Sequence, residues 1–177
     1  MYRDNQEERT RGIGSLLLLI LLIALSVIVW ATIFREKSPV QPPDYAPVEI
    51  EENTEPIGND DKEKMDAPEG GGAVSLIYSK EVGIRLSENK VTLLFANLSK
   101  STQDMVIQLV IQDTVVVQSG RLLPGRRVTT LGLMKNAERS LSAGRYEGRL
   151  ILSFYDPQSG EKAMLNTEIP VTVTVTE

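Results

Sequence analysis

The residues that could do chemistry are few. Ser87-Glu88-Asn89-Lys90 has the Ser-x-x-Lys spacing, which at the start of a helix sets a lysine amine beside a serine hydroxyl for acyl transfer. That reaction also needs Ser-Asp-Asn and Lys-Thr-Gly partners, and neither tripeptide occurs, so the four residues read as a turn between strands. The 177 residues contain no histidine and no cysteine, which removes Ser-His-Asp and Cys-His nucleophiles, ordinary zinc, copper and haem sites, and any disulfide framework. Adjacent carboxylates occur at Glu51-Glu52 and Asp60-Asp61, in a stretch with no cleft to separate their pKa values. Asp156, Ser159 and Glu161 share one turn, too few oxygens for a calcium cage. Asn97-Leu98-Ser99 has the form of a glycosylation sequon, and its place at a strand end allows exposure. Leu123-Pro124-Gly125-Arg126 lacks the Thr-Gly and trailing hydrophobic tail of a sorting signal and reads as a turn. The expectation is a protein that is not an enzyme: no catalytic residue, no cofactor and no metal.

The candidate interaction residues are of two kinds. Arg121, Arg126 and Arg127 cluster around the Leu-Pro-Gly turn, placed to meet an anionic polymer or the chain's own acidic stretch. Thr172, Thr174 and Thr176 alternate with valines and would form a flat, uncharged outer sheet face, where contacts or strand addition could occur.

The elements that must carry these residues follow from hydrophobic patterning. Leu16 to Phe34 runs nineteen residues without a charge. As a helix it would span about 28 Å, close to the hydrocarbon core of a bilayer. It exceeds a signal-peptide core, and Val29-Trp30-Ala31 is a poor cleavage site, so a retained anchor is expected. Its small residues Ala24, Ser26, Ala31 and Thr32 make no Gly-x-x-x-Gly pairing motif. Arg3, Arg9 and Arg11 precede it, whereas Arg35 and Lys37 follow, which points the short tail 1–15 inward. Net charge is 0 over residues 1–34, −7 over 35–72 and +2 over 73–177, with no basic patch of the size that nucleic acid requires. Residues 35–72, acidic and broken by Pro39, Pro42, Pro43, Pro47, Pro56 and Pro68, are expected to be a disordered stalk.

Residues 73–177 read as strands throughout. Period-two alternation is plain at 91–96, 105–112 and 169–175, and further strands are expected near 74–79, 82–87, 114–118, 127–133 and 146–155. Gly/Pro/Asn/Ser turns separate them, and one helical turn fits 136–142. Seven or eight strands in about a hundred residues predict an all-β, Ig-like antiparallel sandwich. Leu141, Gly144 and Tyr146 form a Leu-x-x-Gly-x-Tyr run before the strand at 146–155, as at a tyrosine corner whose hydroxyl returns to nearby backbone. In that strand Tyr146, Gly148, Leu150, Leu152 and Phe154 should face inward and Glu147, Arg149, Ile151 and Ser153 outward.

With Gln118 to Gly125, Leu141 to Tyr146 and Tyr155 to Glu161 as its turn signatures, the chain resembles small single-pass, membrane-anchored proteins of Gram-positive bacteria that carry an extracytoplasmic Ig-like domain. The resemblance implies a module in contact with lipid through 16–34 and with a protein or envelope component through 73–177, in the cell membrane with the C-terminal domain outside. A second reading makes the chain an accessory subunit of a membrane or envelope assembly.

Overall fold

The computed structural model describes residues 20–26, 42–58, 63–67, 69 and 71–177. The chain divides into two units, Met1–Ser38 and Pro39–Glu177. In the first, residues 20–26 are helical, and Ser26 donates its hydroxyl to the Ile23 carbonyl at 2.8 Å. The rest of the expected span 16–34 lies outside the described residues. Among the described residues no helix is long and apolar enough to cross a membrane.

The second unit is all-β. Its strands are β1 (Thr54–Pro56), β2 (Leu76–Tyr78), β3 (Glu81–Arg85), β4 (Lys90–Asn97), β5 (Asp104–Ile111), β6 (Thr114–Gln118), β7 (Arg126–Gly132), β8 (Gly144–Tyr155) and β9 (Lys162–Thr176). They form one curled sheet in the order β1-β7-β4-β3-β9-β8-β5-β6, with β2 beside β3 on the same flank of β4. Every pairing is antiparallel except β3 with β9, which is parallel from Glu81↔Thr172 to Arg85↔Thr176. The sheet curls because β3 is shared: it pairs with β4 on one side and β9 on the other, so the two halves face each other across one core. Ile84, Val91, Phe95 and Val128 from one half meet Ile107, Leu109, Leu152 and Val173 from the other within this buried cluster. β-branched and aromatic side chains at alternate positions fit such a pleated, half-buried surface.

The turns use the chemistry their conformations demand. Leu86–Glu88 is a 3-10 turn that ends at Asn89 in the left-handed region, so Ser87 and Lys90 flank a strand connection. Gly125 (φ 80°) closes the Leu-Pro-Gly turn, and a second 3-10 turn, Ala137–Ser140, matches the single helical turn expected.

Several expectations need correction. β5 is buried along its whole length, and the far half of β8 is buried on both faces: Ile151, Ser153 and Tyr155 are as inaccessible as Leu150 and Leu152. Tyr155 donates its hydroxyl to the Pro43 carbonyl at 2.8 Å, so chain from before the domain lies over this end of β8. The sequence signal for a one-sided strand was therefore misleading here, because the second face is covered by chain distant in sequence. β9 begins at Lys162, well before the valine–threonine alternation starts.

The stretch expected to be a disordered stalk differs most. Residues 42–58 are built onto the domain: Tyr45 bridges Glu161, Ile50 bridges Arg121, and β1 pairs antiparallel with β7 from Thr54↔Val128 to Pro56↔Arg126. Low hydrophobicity predicts disorder when a segment has only itself to pack on. Here its backbone groups find partners on exposed strand edges, so little apolar burial is needed.

Tyr146 directs its hydroxyl to Ser142, donating to the carbonyl at 2.9 Å and accepting from the amide at 3.2 Å. Leu141 is buried beneath this turn, and Gly144 holds a φ of 155°. Tyr146→Phe removes both bonds without changing shape. The expected result is a loss of about 1 kcal/mol in stability, read as a lowered denaturation midpoint at constant m-value.

Candidate functional site: the docked acidic segment and the Asp104–Arg121 cleft

The sequence brings the three candidate arginines to one end of the sheet, and the structure gives them separate tasks. Arg121 follows the end of β6 by three residues and stands in a cleft of about 630 Å³ bounded by Ile50, Lys64, Asp104, Leu123 and Pro124. Its guanidinium lies 3.3 Å from Asp104 Oδ2. Asp104, the first residue of β5, is 2 % exposed, and its Oδ1 has no hydrogen-bond partner among the described residues. Burial pushes the Asp104 carboxyl above its ordinary value; Arg121 opposes that shift and Asp156 adds to it. Lys64 spans the cleft from the acidic segment, donating to the Ser101 carbonyl at 2.6 Å.

Arg127 points the other way, to the outer edge of β7. Its Nε and Nη2 both donate to Glu55 Oε2 of β1, at 3.1 and 2.9 Å. Arg126 is half-buried at the start of β7 opposite Pro56. One of the two partners expected for the arginine cluster, the chain's own acidic stretch, is therefore in place at Arg127.

The same stretch is anchored again at residues 119–121. Arg121 N–H donates to the Glu49 carbonyl at 2.9 Å, and Glu51 N–H returns to the Arg121 carbonyl at 3.0 Å. The Glu51 side chain accepts from Gly120 N–H at 2.9 Å. Gly120 makes this approach possible: a Cβ there would sit 2.8 Å from Glu51 N and 2.9 Å from Glu49 O. A glycine where another backbone passes closely is the signal that could have located this contact in the sequence.

The threonines occupy an interior strand. At Thr172 and Thr174, β9 is bonded to β3 on one side and β8 on the other, and Thr176 pairs with Arg85 of β3 just past the end of β8, so no strand can add along Thr172 and Thr174. Their face remains: Thr174 and Thr176 are exposed and line a shallow hollow with Arg85, Lys90 and Thr92, while Arg85 is paired with Glu88 and Glu81 and Glu147 stand opposite Thr172, so the face carries charges of both signs rather than none. Thr176 Oγ1 is engaged with the Ile84 carbonyl at 3.2 Å.

The remaining chemical candidates are in structural use. Asn97 is fully buried, its amide donating to the Gln103 and Leu122 carbonyls at 3.0 Å, so the sequon is not at the surface. Asp156 Oδ1 accepts from the Gln158 and Ser159 amides, which lowers its carboxyl pKa and ties the turn. Among the described residues no group of three or more acidic or other ligating side chains could hold a metal ion.

No family model matches this chain, and no curated protein matches it. Among solved structures it is similar to AggA, the major subunit of aggregative adherence fimbriae type I from Escherichia coli. Identity is 11 %, over 59 % of this chain and 95 % of that one, with a TM-score of 0.29, too slight a likeness to assign fold or function.

The cleft carries its own pH signature. Because the folded pKa of Asp104 is raised, its unfolded form releases the proton first as pH increases above the ordinary value of 3.8. The stability tied to Asp104 is thus complete below that value and is lost as pH rises through the folded pKa. Asp104→Asn removes this term while keeping a side chain that can accept from Arg121. Its melting temperature should gain on the wild type as pH rises above the ordinary value of 3.8. A wild type that gains on the variant over the same range means that Arg121 outweighs burial.

Proposed function

We propose that this chain is a non-enzymatic, single-pass membrane protein that displays an Ig-like sandwich outside the membrane, for interaction with a protein or another component of the cell surface. The observation that carries this reading is the state of the apolar stretch. In the helical residues 20–26, Ile20, Leu21, Leu22, Ile23 and Leu25 are each 50 % exposed or more, inside a run of nineteen uncharged residues. So much contiguous apolar surface is unfavourable in water and favourable in a bilayer.

The Ig-like assignment rests on the strand order and on the tyrosine corner. β3 pairs with both β4 and β9, β8 follows the corner, and the Tyr146 hydroxyl returns to Ser142. The orientation rests on the arginine-rich tail before the span and on the folded domain after it. The exposed face of β9, with Thr174 and Thr176 beside charges of both signs, is the surface this reading offers to a partner.

Protease applied to intact cells tests placement. With a tag at the C-terminus, the tagged domain should disappear from whole cells while a cytoplasmic marker survives. A domain that stays protected until the cells are lysed overturns the reading.

A further inference from the structure

With residues 42–58 built onto the domain, little chain is left to hold that domain away from a membrane. Eight residues, 35–42, lie between Phe34, the end of the apolar run, and Pro43, whose carbonyl accepts from Tyr155. Fully extended, they reach about 30 Å at most. β8 and β9, of twelve and fifteen residues, run about 40 and 50 Å. The tether is therefore shorter than the domain, and it fixes which end of the domain stays beside the bilayer. That end is where β8 closes and β9 opens. Tyr155 pairs with Lys162, Tyr45 bridges Glu161 in the turn between the two strands, and Ala46 N–H donates to the Gly160 carbonyl at 3.0 Å. The tyrosine corner and the last residues of β9 lie at the opposite end.

Exposed apolar side chains are concentrated at the end where the chain enters. Among the described residues of Pro39–Glu177, the large apolar side chains more than half exposed are Tyr45, Val48, Met164 and Leu165. Met164 and Leu165 are the extreme pair, at 103 % and 78 %. Between Ser153↔Asn166 and Tyr155↔Lys162, β9 places three residues opposite one of β8, a bulge that leaves this pair off the ladder. No charge falls between Lys162 and Glu168. Two large apolar side chains held out at a bulge are unfavourable in water and favourable at a lipid interface. Asp44, Asp156 and Glu161 are exposed at the same end, so the attraction is apolar and not to anionic headgroups.

We propose that the domain rests against the bilayer by this end, with Met164 and Leu165 entering the lipid interface. The proposal rests on the membrane-anchored reading above and adds a contact that an anchor alone does not require. Lipid is the fitting occupant because the short tether keeps this end beside it.

The chain contains no cysteine, so one introduced thiol gives a unique label. Arg145, exposed near the start of β8, serves as the control at the far end. Full-length Met164→Cys and full-length Arg145→Cys are labelled with a small environment-sensitive fluorophore. Each is reconstituted into phosphatidylcholine vesicles that carry a nitroxide on an acyl chain. Quenching at position 164 should exceed that at position 145 several-fold, and adding Leu165→Glu should lower it towards the control. Equal quenching at the two positions, in chains that float with the vesicles, overturns the contact and leaves the anchor standing. A chain that does not float with the vesicles overturns the anchored reading and the contact with it. Quenching at position 164 that ignores Leu165→Glu means that the label inserts by itself, and overturns the proposal. A label there that is shielded from water yet unquenched reveals a protein cover, such as a second copy, and overturns it equally.

Discussion

The parallel pairing of β3 with β9 is the contact on which the rest of the sheet depends. It joins residues 81–85 to 172–176, nearly the two ends of the domain, and there is no disulfide to assist it. A parallel ladder is slightly weaker per residue than an antiparallel one, and closing so long a loop carries an entropic cost. Burial must make up the difference. Val82 and Ile84 of β3, with Val173 and Val175 of β9, are each at most 2 % exposed and sit in the one core that both halves of the sheet share. If this seam opens, β4 and β7 lose the surface of β5 and β8 against which they pack.

Closing the sheet at β3 and β9 also decides where edges remain. β7 would be one, and β1 covers it; β6 is the other, and there Met134 N–H reaches the Val116 carbonyl. β9 runs past β3, leaving Lys162 and 166–170 bonded to β8 on a single side, with a register shift between them where Met164 and Leu165 are exposed. Glu168 and Pro170 interrupt that free edge with a charge and a missing donor, devices that discourage an incoming strand. The edge of β7 carries charge of its own, at Arg126 and Arg127, and is covered by β1 besides.

Much of the β architecture could be read from residue order. Period-two alternation located β4, β5 and the end of β9, and the Leu-Pro-Gly turn and the Tyr146 corner residues lie where local chemistry put them. What escaped reading was set by distant partners. Ile151 and Ser153 look like outward positions until a second covering surface exists, and Ala163 to Leu165 show no alternation because they fall where the register between β8 and β9 shifts. The Asp104–Arg121 pair joins residues seventeen apart in sequence that only the bridges between Met105 and Leu122 bring together. Composition averages over 35–72 cannot register that two glutamates have addresses on the domain.

That last point changes what the acidic stretch is for. A plain spacer would need charge and proline for extension alone, and its glutamates could be placed anywhere. Glu51 and Glu55 are instead positioned, while Glu49 before them and Glu52 between them are exposed to solvent. The exposed charges face water, and the positioned ones fix the register of the segment on the domain. Proline fits the same design. Pro56 ends the three-residue strand and has no amide to donate, and the next bond comes from Ile57 N–H to the Gly125 carbonyl. Positioned carboxylates, a short ladder and the glycine slot together make this stretch a cover for the domain's edge rather than a plain spacer.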